Sequence, residues 1–231
     1  MNHIDLAACE ERGIKVVNAQ GYAKDAVAEL TLGLILNVLR NIIPCNTATR
    51  EGKTRAGLVG SLLKGKTVGI VGTGEIGIRT AELCQAFGAK TVGYSRTERS
   101  EAKAIGLSYV SLDELVSTSD IISLHVPLTP QTTNLINDRV IGLMKPSAIV
   151  VNVARGGVVD SLALATALNT GGIAGAAIDV FETEPPLDIN HPLLKSKNTI
   201  VAPHVAFASK ESFVFRLDIV LNNIREYVRE T

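Results

Sequence analysis

Lys66-Thr67-Val68-Gly69-Ile70-Val71-Gly72-Thr73-Gly74-Glu75-Ile76-Gly77-Ile78 decides how the rest of this chain is read. Residues 66–71 form a short β-branched run suited to a buried parallel strand. From Ile78 onward, apolar residues at Ile78, Ala81, Leu83, Ala86 and Phe87 describe a helix that stops at Gly88. Strand, glycine turn and helix in that order make a dinucleotide-binding fingerprint. Gly72 permits the tight turn, Gly74 lets backbone approach a diphosphate, and Gly77 allows the helix to pack closely on the strand. The diphosphate then meets the free N–H groups and the positive dipole end of the helix.

Beyond this unit the chain alternates short apolar runs with helical ones, which predicts an α/β fold, a doubly wound parallel Rossmann sheet with helices on both faces. Strands are predicted at 67–71, 90–94, 121–125, 148–153, 173–178 and 199–201, and helices at 76–87, 111–117, 138–143 and 161–169. The first part reads differently. It predicts a helix over 4–12, a brief strand over 15–18, and one long helix over 25–49 with Asp25 as its N-cap. A tail helix over 209–227 carries Phe213, Leu217, Val220, Leu221, Ile224 and Val228 along one face. The implied division is a remnant of a second domain plus linking helix at 1–57, the dinucleotide-binding domain at 58–204, and a returning helix at 205–231.

Composition narrows the function classes. Of 231 residues, 46% are hydrophobic, and 23 basic side chains balance 23 acidic ones, so no nucleic-acid or acidic-membrane partner is indicated. The longest apolar stretch, 30–43, is too short for a span. The N-terminus lacks a secretory pattern, and Cys9, Cys45 and Cys84 lie far apart, as expected of reduced thiols in a cytoplasmic protein. The spacings of His3, His125, His191 and His204 argue against a metal site.

The end of the second strand bears on the cofactor. Ser95 stands eighteen residues past Gly77, where an NAD-binding unit carries an acid for the ribose 2′-hydroxyl, and Arg96 and Thr97 follow it. A hydroxyl and a guanidinium suit a 2′-phosphate, so NAD(P) binding with a lean toward NADP(H) is expected. The alternative is an ordinary solvated loop.

Three more segments close predicted strands: Asn152-Val153-Ala154-Arg155-Gly156-Gly157, Asp179-Val180-Phe181-Glu182-Thr183-Glu184-Pro185, and Pro203-His204. Taken singly, Arg155 suits a surface turn, Asp179 a cap, Glu184 a solvated position and His204 a structural histidine. Their joint order is a specific pattern, and strand ends in a parallel sheet share one crevice.

With Val17-Asn18-Ala19 and His125-Val126-Pro127-Leu128-Thr129, these motifs resemble the D-2-hydroxyacid dehydrogenase family over essentially the whole chain, nearest its phosphoglycerate dehydrogenase and hydroxypyruvate or glyoxylate reductase members. The resemblance implies reversible hydride transfer between a nicotinamide and C2 of a small 2-oxo or 2-hydroxy acid. It implies that Arg155 binds the substrate carboxylate, that His204 is the acid–base group, and that Glu184 hydrogen-bonds the imidazole and favours its protonated form. Reduction then slows as pH rises. Asp179 is implied to hold the nicotinamide amide, and Glu75 and Ile76 to place backbone around the diphosphate. Val126, Pro127, Val153, Ala154 and Ala206 would line the cofactor site. A homodimer is expected through the long helix.

Two departures from the family follow. Val205-Ala206-Phe207-Ala208 stands where members often carry small, glycine-rich residues, so Phe207 is expected to narrow the pocket. Members also carry a further N-terminal segment, roughly the first quarter of a full chain, and Met1-Asn2-His3-Ile4-Asp5 begins about where it ends. A catalytically inactive dinucleotide-binding module therefore stands as the alternative to a dehydrogenase.

Overall fold

A computed structural model describes residues 4–183 and 187–230. The strands are β1 (Thr67–Val71), β2 (Lys90–Tyr94), β3 (Ser108–Tyr109), β4 (Ile121–Leu124), β5 (Ile149–Asn152), β6 (Gly175–Ile178) and β7 (Thr199–Val201). They form one seven-stranded sheet in the order β3-β2-β1-β4-β5-β6-β7, with every neighbouring pair parallel. The chain winds outward from β1 in one direction, then returns to β4 and winds in the other. The crevice between β1 and β4 is thus the topological switch point, where this architecture accepts a ligand.

The helices are α1 (Leu6–Glu11), α2 (Lys24–Leu39), α3 (Ile42–Arg50), α4 (Glu75–Ala86), α5 (Ser100–Ala104), α6 (Leu112–Thr118), α7 (Asp138–Ile141), α8 (Ser161–Thr170) and α9 (Lys210–Glu230). The starts of α6, α7 and α8 are written in polar caps. Ser111 Oγ accepts the N–H of Glu114 at 3.2 Å, Asn137 Oδ1 that of Val140 at 3.1 Å, and Asp160 Oδ1 those of Leu162 and Ala163 at 3.1 and 3.0 Å. Two cores result, one on each face of the sheet. On one, α2 and α4 pack Leu34, Ile35 and Ala81 against Val68, Ile70, Ile121 and Val151. On the other, α6, α7 and α8 pack Leu115, Val140 and Leu164 against Ile122, Leu124, Val150 and Ile178. Ile35 and Ile70 are fully enclosed, so truncating either to alanine costs about 2–5 kcal/mol.

The predicted sheet and its six strands are present to within one or two residues at their ends. Four local expectations are corrected. The single helix over 25–49 is two helices, α2 and α3, bent by 58°. Pro44 has no N–H, and its ring would clash with the carbonyl of Arg40 in a continuous helix, so the chain turns at Asn41 with φ +52°. The N-cap of α2 is Ala23, and Asp25 lies in its first turn, where it pairs with Arg79 at 2.8 Å. Residues 15–18 form no strand, because no edge stands beside them among the described residues. They lie against α9 instead, with Asn18 O accepting from Asn223 Nδ2 at 3.3 Å and Lys15 Nζ 5.6 Å from the Tyr227 ring. Finally, α5 and the two-residue β3 were not predicted, being too short to show a period.

The tail helix is α9, capped by Ser209, whose Oγ accepts the N–H of Ser212 at 3.0 Å. Phe213, Leu217 and Ile224 on it are half or more exposed. No single helix among the described residues is long and apolar enough to cross a membrane. The bent α2–α3 pair passes on length and composition, but α2 is a core helix against α4 and the sheet.

Candidate active site

Parallel register sets the C-terminal ends of the strands level. Val71 pairs with Tyr94 and Leu124, Leu124 with Asn152, Asn152 with Ile178, and Ile178 with Val201. The residues that follow these ends therefore rim one side of the sheet.

At the switch point, Gly72 has φ +100°, and a Cβ there would stand 2.7 Å from the carbonyl carbon and oxygen of His125. Only glycine lets β1 turn this closely beside the end of β4. A Cβ on Gly77 would meet Gly72 O at 2.0 Å, so α4 sits directly on the turn. Gly74 differs: a Cβ there meets nothing within 4 Å, so the space in front of it is open. The α4 N-terminus has no capping side chain, which leaves its first N–H groups for an anion, and Glu75 and Ile76 open that helix. An uncapped helix end facing open space beside a bare backbone fits a dinucleotide diphosphate.

Beside this turn lies a cavity of about 430 Å3. Its lining includes Ile76, Val126, Pro127, Val153, Ala154, Arg155, His204 and Ala206, so eight residues expected at the site meet at one wall. Tyr22, Ala23 and Val27, around the start of α2, and Phe207 line the cavity as well. His204 and Phe207 rings meet edge to face with centroids 5.5 Å apart. Ser95, Arg96 and Thr97 stand away from this cavity, at the end of β2. Glu184 lies outside the described residues.

Arg155 is exposed and is carried by a turn that Asn152 builds. The buried Asn152 side chain donates to Arg155 O at 2.9 Å and accepts from Ala154 N at 3.0 Å. Arg155 Nη1 donates to Ala154 O at 2.7 Å. Gly156 fixes the depth of the turn, since a Cβ there would lie 1.9 Å from the Phe181 carbonyl carbon.

His204 has φ +56°, a conformation few non-glycine residues adopt. Asp179 holds it there. His204 N–H donates to Asp179 O at 2.7 Å, and the Asp179 carboxylate accepts from Val205 N at 2.9 Å and Ala206 N at 2.8 Å. Asp179 is fully enclosed, with each carboxylate oxygen on the backbone of the histidine turn. Backbone strain at the histidine is thus offset by charge-assisted hydrogen bonds to a buried carboxylate.

Two groups were given no role by the sequence reading. His125 lines the cavity with its Nε2 2.9 Å from Ser123 Oγ, while its Nδ1 is buried and has no hydrogen-bond partner among the described residues. Burial pushes its pKa down to about 3, so the ring is neutral at physiological pH. The signal was a histidine directly after the buried run at β4. Glu182 is the second: its carboxylate accepts from Ser161 Oγ and lies 3.0 Å from His191 Nε2. Burial raises the Glu182 pKa, but the Ser161 and His191 hydrogen bonds outweigh it and hold the carboxyl below its ordinary range. Among the described residues no group of three or more His, Cys, Asp or Glu side chains is placed to hold a metal ion.

Comparison with known proteins agrees with this arrangement. Residues 32–206 match the family described as D-isomer specific 2-hydroxyacid dehydrogenase, NAD binding domain. The glyoxylate reductase of Thermococcus litoralis is 42% identical over 99% of this chain and 71% of its own length. The D-lactate dehydrogenase of Aquifex aeolicus, solved with NAD and lactic acid, superposes with a TM-score of 0.92 at 33% identity, covering all of this chain and 74% of that one. An acyclic imino acid reductase in complex with NADPH and D-Arg gives a TM-score of 0.89 at 29% identity over 100% of this chain and 73% of that one. A nucleotide turn at the switch point, with an arginine and a strained histidine on the adjoining wall, and a family match over 32–206 lead to one assignment: this chain belongs to the D-isomer specific 2-hydroxyacid dehydrogenases, a family of NAD-binding oxidoreductases.

Proposed function

We propose that this chain reduces a small 2-oxo acid to the D-2-hydroxy acid, and catalyses the reverse oxidation, with NADP(H) preferred over NAD(H). The observation that carries the reading is that Arg155 and His204 line the same cavity as Ile76, Val153 and Ala154. A nicotinamide cofactor bound across the Gly72 turn supplies the hydride chemistry. Arg155 is the cation for the substrate carboxylate and for the polarised ketone oxygen, its planar donors matching both. His204 gives a proton to that oxygen during reduction and takes it back during oxidation. The Asp179 bonds keep the imidazole turned to the cavity, and Glu184 is its expected carboxylate partner. Neutral His125 adds a polar wall without charge.

The NADP(H) preference rests on Ser95, Arg96 and Thr97 in place of an acid at the end of β2. Arg96 is exposed and forms no ion pair among the described residues. Glyoxylate and hydroxypyruvate lead the substrate candidates, because the cavity is small and Phe207 lines it. A cytoplasmic location belongs to the same reading, and so does a homodimer, which is supported by the exposure of Ile42, Ile43, Val59 and Leu62 on and after the α2–α3 bend. A second reading, nucleotide binding without turnover, is favoured by the exposure of Arg155, which leaves that side of the crevice open to water.

The test is NADPH and NADH oxidation by the purified chain with glyoxylate, hydroxypyruvate, pyruvate and bulkier 2-oxo acids. Turnover that His204→Gln lowers by about 10²–10⁴-fold, with nucleotide affinity kept, is the expected result. Tight nucleotide binding without turnover on any of these acids would replace the dehydrogenase reading with the second one.

A further inference from the structure

We propose that Tyr109 is a positioning residue for the adenosine end of the cofactor, where it sets the selectivity for a 2′-phosphate. The inference rests on the NADP(H) reading above and deepens it. Tyr109 sits on β3, the two-residue edge strand, in register with Gly93 of β2. Its hydroxyl accepts the backbone N–H of Arg99 at 2.9 Å and shares a hydrogen bond with Thr73 Oγ1 at 2.7 Å. Thr73 is the central residue of the diphosphate turn and is 1% exposed. Arg99 ends the loop that begins at Ser95. One phenol therefore ties the far end of the 95–99 loop to the turn that receives the diphosphate.

The contact depends on clear space over β2 at the position paired with Tyr109. A Cβ on Gly93 would stand 3.0 Å from Thr73 Cγ2 and 2.4 Å from Leu107 Cδ2. Glycine at 93 lets Thr73 and Leu107 close over the strand and brings the phenol within reach. The charges of the loop are sorted as well. Its one acid, Glu98, is drawn to Lys103 Nζ at 2.6 Å, while Arg96 and Arg99 are exposed and have no ion pair among the described residues. Held at both ends, the loop presents basic side chains from a fixed backbone. Without the phenol its far end would have to be ordered at the moment of binding, which weakens affinity for whatever the loop grips. A 2′-phosphate gains most from Arg96, so it loses most when the loop is released.

The experiment is fluorescence titration of the purified chain with NADPH and with NADH, for the wild type, Tyr109→Phe, Thr73→Val and the double variant. Tyr109→Phe removes both hydrogen bonds of the phenol, of which the one to Arg99 N–H orders the loop, so NADPH should weaken about fivefold and NADH by under about twofold. Thr73→Val breaks the same link from its other side, so the double variant should be no worse than the poorer single one. Equal losses for both nucleotides, no loss in Tyr109→Phe, or additive losses in the double variant would overturn the role of Tyr109. A wild type that prefers NADPH beside a variant with an unchanged ratio refutes Tyr109 alone. A wild type that binds NADH more tightly refutes the cofactor reading and the 2′-phosphate role together.

Discussion

Asp179→Asn separates two roles for one carboxylate. The family resemblance implies that Asp179 holds the nicotinamide amide, whereas the structure shows its oxygens accepting from Val205 N and Ala206 N at 2.9 and 2.8 Å. Asparagine keeps the shape and one acceptor oxygen, but its amide nitrogen would face a backbone N–H donor. One charge-assisted hydrogen bond is then lost and the other weakened. At about 1.5–3 kcal/mol for a hydrogen bond to a charged group, the turn loses about 2–4 kcal/mol. Asp179 is fully enclosed, so water cannot restore the missing partner. Part of the loss should appear as a lower urea midpoint. The rest should appear as a relaxed His204, whose φ of +56° needs support from its neighbours. If about half of it falls on the catalytic geometry, kcat drops roughly 5- to 30-fold, at about 1.4 kcal/mol per factor of ten. Urea denaturation and steady-state kinetics with both nucleotides measure the two parts. A variant with wild-type midpoint and kcat, but a raised KM for the nucleotide, would refute the turn-holding role and return Asp179 to the nicotinamide amide.

Two further expectations concern groups away from the cavity. Asp120 accepts Thr67 N–H at 2.8 Å and Lys145 Nζ at 2.9 Å, and although burial raises its pKa, these bonds and the lysine charge bring it below the ordinary value. Its stabilisation is therefore present above the unfolded pKa and is lost as pH falls through the lower folded one. Asp120→Asn should cost about 1 kcal/mol at neutral pH and progressively less below about pH 4, which denaturation curves across that range would show; a constant difference would refute the linkage. Cys84 is buried, which pushes its thiol pKa up to about 12, whereas Cys9 and Cys45 are partly accessible. A thiol reagent at mildly alkaline pH should modify Cys9 and Cys45 first and reach Cys84 only on unfolding, as peptide mass mapping would record; early labelling of Cys84 would contradict its place in the core.

Much of this architecture was legible because the signals are local. The 66–78 stretch contains its strand, turn and helix in unbroken order, and the structure seats each glycine where the fingerprint requires it. Arg155, Asp179 and His204 could be grouped because each follows a strand, and strand ends in a parallel sheet stand together. What resisted reading was pairing at a distance. Residues 15–18 have strand-like composition, yet a strand needs an edge, and the neighbour that took them was a helix two hundred residues later. The helix break required weighing Pro44 against an apolar run that otherwise favoured continuity. Tyr109 sits on a strand too short to show alternation, so its link to Thr73 and Arg99 had no sequence signature.

The same contrast explains how the site is held. Residues facing the cavity come from motifs, but their orientation is set by enclosed polar groups one layer beneath. Asn152 shapes the Arg155 turn, Asp179 fixes the His204 turn, and the backbone joins the two supports, since Asp179 N–H donates to Asn152 O at 2.9 Å. These two supports occupy neighbouring positions on the rim of β5 and β6, where Asn152 pairs with Ile178. Slipping β6 by one residue against β5 would turn Asp179 to the opposite face of the sheet and release the histidine. The full enclosure of Ile178, Ala177 and Ala176 resists that slip. Hydrophobic burial in the sheet thus sets the register, the register sets the two polar supports, and those supports bring an arginine and a histidine from separate strands to one wall.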